Sequence, residues 1–141
     1  MLNFPIKLTF WLLVAVFVLI LLGMFVPLLG TFLFQIGGPA IVFGEWIGFF
    51  ILGGILIFLV LKNKISGKLK TFLLLTGFAA VGFLIFAILH NLVSGALSII
   101  FKTEIEEPIF FILATLISPI VFLVGAIKSM TLFNKNNDAL S

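Results

Sequence analysis

The charged side chains fall in short clusters, and the intervals between clusters are long, uncharged and apolar. One interval runs from Thr71 to Phe101, 31 residues closed by Lys102, and holds His90, the single histidine of the chain. At a rise of about 1.5 Å per residue, about 20 helical residues cross the hydrocarbon of a bilayer. The interval therefore predicts a transmembrane helix over 71–92, extended to 101. The alternation of a membrane barrel strand is missing, so helices are the form that satisfies backbone amides in lipid.

Three further intervals repeat the pattern. An uncharged run from Leu8 reaches Pro27 and predicts a first helix over 8–27, with Trp11 one turn after Lys7 at headgroup level. A signal peptide would carry a shorter apolar region and a small-x-small cleavage site, and Met24-Phe25-Val26-Pro27-Leu28 supplies none. The segment 28–39 holds Gly30, Gly37, Gly38 and Pro39, which predicts a loop on the membrane surface. A second helix follows over 40–61, with Pro39 at its start. The fourth runs over 108–127 and is kinked at Ser118-Pro119, because proline removes the bond to the carbonyl of Thr115. Thr103 and Glu106 have the spacing of a capping box ahead of Pro108. One transmembrane domain, 1–133, thus precedes a polar tail, 134–141, that has no apolar face on which to fold.

Composition agrees with lipid as the solvent: 63% of the residues are hydrophobic and only 9% charged, against about 25% charged in soluble domains. The chain has no cysteine, which excludes disulfides, thiolate metal sites and iron–sulfur clusters, and a lone histidine excludes a bis-histidine haem within one copy. No cofactor is expected. The basic residues are all lysines flanking apolar runs, a topology signal and not a groove for nucleic acid. With four crossings, Lys7, Lys62, Lys64, Lys68, Lys70, Lys128 and Lys135 share one side and Lys102 stands alone on the other. The expected fold is an all-α integral membrane protein, an antiparallel four-helix bundle of the cell membrane with both termini cytoplasmic. Its faces carry +6 inside and −3 outside when Asp138 is counted with the tail. Lys62, Lys64, Lys68 and Lys70 form a basic hairpin that acts as the orientation signal or attracts anionic lipid headgroups.

Candidate chemistry lies at the lysine-poor level. Glu45 is 16 residues from Leu61, which places it about 24 Å up by helical rise, and His90 stands about 28 Å above Thr71. Glu107 directly precedes the fourth helix. Ionisable groups inside a membrane cost roughly 2.5 to 3.5 kcal/mol at its centre and so find partners or water. Glu45, His90 and Glu107, with Asn91, are accordingly expected to converge in an outward-facing polar pocket, or else to reach interfacial water separately. Such a pocket suits a proton or a divalent cation, although no spacing on one helix specifies a metal. His90, Asn91, Ser94 and Ser98 fall on adjoining lines of one helical face.

Ala40, Gly44 and Gly48 form a row of small residues on the second helix, which serves packing inside the chain or a face toward a second copy. Three function classes follow. A packing or accessory subunit, assembled with itself or another membrane protein, comes first; a proton- or cation-linked transporter or channel comes second; an intramembrane enzyme comes third. Phe86-x-x-x-His90 and Glu106-Glu107 resemble elements of CAAX-type membrane proteases, in reversed order and without the arginine and second histidine of that family. No family is assigned from the sequence.

Overall fold

Apolar runs in a solvent without hydrogen-bonding capacity fold as helices, and the computed structural model, which describes residues 3–138, contains no strand among them. Helix α1 spans Phe4–Phe25, α2 Pro27–Lys62, α3 Gly67–Phe101, α4 Pro108–Ile112 and α5 Ser118–Asp138, with a π-helical turn over Leu113–Ile117 between the last two. Four stretches are long and apolar enough to cross a membrane: Phe4–Phe25, Phe34–Lys62, Gly67–Phe101 and Pro108–Lys135. The chain is an integral membrane protein by these lengths and compositions.

The first correction concerns residues 28–39, expected as a surface loop and found to be helical. Pro27 occupies the first turn of α2, where its missing amide costs nothing, and the helix persists until Gly38. There φ is 59° and ψ −154°, a conformation open to glycine alone, and the helix resumes in a new direction at Pro39. Glycine and proline punctuate this stretch without dissolving it, because the apolar residues between them still require internal hydrogen bonds. Gly30 also has a steric role: a Cβ there would collide with the carbonyl of Gly23, so the corner between α1 and α2 closes only around a bare backbone.

In the fourth span, the turn before Pro119, where a kink is expected, is widened, and the amide of Ser118 donates to the carbonyl of Leu113, five residues back. A wide turn absorbs the missing proline donor by shifting the hydrogen-bond register. The polar segment from Asn134 continues α5 as far as Asp138, and residues 139–141 lie outside the described residues. Extending an existing helix by a turn avoids the cost of nucleating one.

Aromatic rings fill the centre. Phe17, Phe49, Phe83 and Phe122, one from each span, are all buried, with centroids 4.3 Å apart for Phe17 and Phe122, 5.1 Å for Phe49 and Phe122, and 6.0 Å for Phe49 and Phe83. Toward one end Phe10 meets Phe133 at 5.1 Å, and Asn3 donates to Asn63 at 2.6 Å, joining the start of α1 to the end of α2. Glycine seams bring backbones together: a Cβ on Gly53 would lie 2.9 Å from the Gly77 carbonyl, and one on Gly125 2.9 Å from the Thr76 amide. Lipid tails compete with apolar side chains, so close packing of this kind holds helices together in a membrane.

These seams predict a contrast between two single-methyl additions. Gly125→Ala forces α5 away from α3 and lowers stability by about 1–3 kcal/mol. Gly54→Ala meets nothing within 4 Å and raises stability by up to about 1 kcal/mol through helix propensity. Unfolding of the two variants in detergent, followed by circular dichroism, measures both signs.

Candidate functional site

The polar stripe of α3 meets the connection between α3 and the fourth span. His90, Ser94 and Ser98 recur every four residues on one face, and each engages the backbone of residues 105–107. The Ile105 amide donates to Ser98 Oγ at 2.9 Å, and Ser98 Oγ donates back to the Ile105 carbonyl at 3.3 Å. The Glu107 amide donates to Ser94 Oγ at 2.8 Å. His90 Nδ1 lies 2.7 Å from the Glu107 carbonyl and 3.9 Å from Glu107 Oε2. A carbonyl oxygen only accepts, so Nδ1 carries the hydrogen in this contact. The imidazole also rests beside Phe111, with centroids 5.3 Å apart.

Glu107 is 8% exposed and uses its carboxylate on its own helix. Oε1 accepts from the Ile109 amide at 2.6 Å and Oε2 from the Phe110 amide at 2.9 Å. The expected capping box of Thr103 and Glu106 is therefore corrected to a cap by Glu107, with Glu106 exposed. The reason is Pro108. A residue before proline is driven to extended backbone, and Glu107, at φ −88° and ψ 114°, takes the capping geometry that follows.

Of the residues expected at one pocket, only His90 and Glu107 come together. Asn91 donates to the Ala87 carbonyl of its own helix at 2.8 Å and faces a shallow groove beside Phe43 and Trp46. Glu45 lies in a different groove of about 440 Å³, formed by the end of α1 and both segments of the bent α2, with Gly23, Gly30, Thr31, Gln35 and Trp46. It has no hydrogen-bond or ion-pair partner among the described residues. No three histidine, aspartate or glutamate side chains among the described residues are grouped to hold a metal ion. Thr31 and Gln35 were not expected near Glu45. Their spacing of four residues was visible, but a segment read as loop has no faces to compare.

The remaining predicted positions are less engaged. Gly44 and Gly48 have nothing within 4 Å of an added Cβ, and Ala40 is exposed. Lys62 stands over the Phe58 ring at 5.6 Å, and Lys62, Lys64 and Lys68 are exposed with Lys70 half-buried. Ser118 is buried beside Gly82 and borders, with Thr115, Pro119 and Phe17, an apolar cavity of about 210 Å³.

The arrangement around His90 is a clasp between α3 and the fourth span, and its loss registers first in stability. His90→Ala, Ser94→Ala and Glu107→Ala each cost about 1 kcal/mol by leaving a backbone group of the connection or of the α4 N-terminus unpaired. Asn91→Ala and Glu45→Gln leave the unfolding transition in place. Thermal unfolding in detergent separates the two sets. Comparison of the chain with known protein families, curated proteins and solved structures finds no match.

Proposed function

We propose that the chain is a helix-packing, accessory subunit of the cell membrane, an antiparallel four-helix bundle that assembles through the small-residue face of α2. The observation that carries the reading is the contrast between its glycines. Gly53, Gly77 and Gly125 are consumed by contacts inside the chain, whereas Gly44 and Gly48 are open, and Phe43, Ile47 and Ile51 beside them are more than two-fifths exposed. A thin helix face flanked by large apolar side chains admits another helix at short backbone distance. The occupant is a second copy of this chain, or another membrane protein with the same kind of face.

The antiparallel arrangement is supported by pairings that run in opposite sequence directions: Asn3 with Asn63 and Phe17 with Phe49, then Gly53 with Gly77 and Trp46 with Phe83, then Phe86 with Phe110 and His90 with Glu107. Cytoplasmic termini follow from seven lysines on the side of the 62–70 hairpin against Lys102 on the other. The exposed lysines of that hairpin then lie against anionic headgroups, each worth about 1 kcal/mol near the surface. A proton- or cation-linked transporter is the second reading, favoured by the unpartnered Glu45 carboxylate. His90, Ser94 and Ser98 do not support it, since their hydrogen bonds go to the α3–α4 connection.

The test is self-association in lipid. Donor- and acceptor-labelled copies in liposomes give energy transfer that falls on dilution with lipid. Gly44→Leu with Gly48→Leu shifts that dilution curve by about tenfold or more while helix content and unfolding temperature stay as in the native chain. Native chains that show no transfer at any lipid ratio, or a double variant that associates as well as the native chain, overturn homo-assembly through this face.

A further inference from the structure

The groove around Glu45 is separate from the α2 face offered to a partner helix and from the His90 clasp, and it has the makings of a small-molecule site. Three segments enclose it because the chain turns twice: at Val26, where Gly23 and Gly30 close the corner, and at Gly38, where α2 changes direction. The short helical segment before Gly38 thereby sits over the space between α1 and the rest of α2. Its volume of about 440 Å³ lies within the range of about 300–1,000 Å³ typical of ligand pockets. The walls are mostly apolar, and among the described residues lining it Glu45 is the one that ionises.

Charge and surroundings select the occupant. A carboxylate at membrane depth needs a cation or a proton, and Glu45 receives neither an ion pair nor a hydrogen bond from the described residues. Trp46, T-shaped to Phe83 with centroids 5.5 Å apart, lines the same groove, and an indole ring attracts a cation. The Gln35 amide supplies a carbonyl oxygen whose dipole favours a cationic head. No lysine is among the described residues that line the groove. A zwitterionic phospholipid would bring a phosphate that nothing here neutralises and that Glu45 repels.

We propose that this groove binds a lipophilic monocation, an apolar body with one ammonium head and no phosphate, whose charge pairs with Glu45 and packs against Trp46. Met24 and Phe34 of its wall are more than half exposed, so a molecule dissolved in the bilayer has a way in. The proposal is independent of self-association, since Gly44 and Gly48 do not line the groove.

Trp46 is its own reporter. In a Trp11→Phe background it is the only tryptophan, because the chain has two. Purified full-length protein in phosphatidylcholine nanodiscs is titrated with bromododecyl-trimethylammonium, whose bromine quenches indole fluorescence, and in parallel with neutral bromododecanol. The ammonium is expected to quench along a saturating curve and the alcohol along an unsaturated partition line. Glu45→Gln weakens the saturating component by about tenfold or more through loss of the charge pair. Val42→Phe, which keeps Glu45 and fills the groove that Val42 lines, abolishes that component and serves even if Glu45→Gln misfolds. Equal saturation by alcohol and ammonium, native-like saturation in Glu45→Gln, or native-like saturation in Val42→Phe each overturns the proposal.

Discussion

Backbone hydrogen bonding without water is the constraint on which the rest of this structure depends. Every amide and carbonyl at membrane depth needs a partner in the chain, since an orphan costs several kcal/mol in hydrocarbon. Each irregular feature is a local solution to that requirement. Pro27 and Pro39 sit where a helix begins, and Pro119 follows a turn wide enough to give Ser118 a different acceptor. At the α3–α4 connection, residues 104–107 belong to no helix, and the hydroxyls and imidazole of α3 reach across to pair with Ile105 and Glu107.

Once the backbone is satisfied, shape decides how the helices meet. Burying apolar surface gains little in a solvent that is itself apolar, so contacts must be closer or more numerous than those with lipid tails. The chain uses two devices. Broad phenylalanine rings from all four spans interlock at mid-length around Phe17, Phe49, Phe83 and Phe122, where each favourable pair adds about 0.5–1.5 kcal/mol beyond area. Bare glycine backbones close the seams α3 makes with its neighbours, at Gly53 with Gly77 and at Gly125 with Thr76.

Legibility in the sequence followed the range of the interactions. Four uncharged runs broken by lysines or glutamates need only hydropathy and helical rise, and they gave the membrane class directly. The breakers of 28–39 misled, because glycine and proline propensities are measured in water, where an interrupted helix can hydrogen-bond to solvent; in lipid the same residues bend the helix at Gly38. The α3 stripe was visible by its spacing, but its purpose was not, since the carbonyl and amides it holds carry no sequence signature. Depth counting placed Glu45 near His90 in height. It carries no information about azimuth around the bundle: Glu45 lines the groove between α1 and α2, whereas His90 meets the α3–α4 connection.

The π turn at Leu113–Ile117 has a consequence for how the fourth span could change through time. One additional residue in a helix rotates everything beyond it by about 100° about the axis. The turn therefore works as a phase joint. On one side of it Glu107 and Phe110 are registered against His90 and Phe86; on the other, Ser118, Phe122 and Gly125 are registered against Gly82, Phe49 and Thr76. Each half can drift in sequence to suit its own neighbours without twisting the other out of register, a freedom that an uninterrupted helix of the same length does not have.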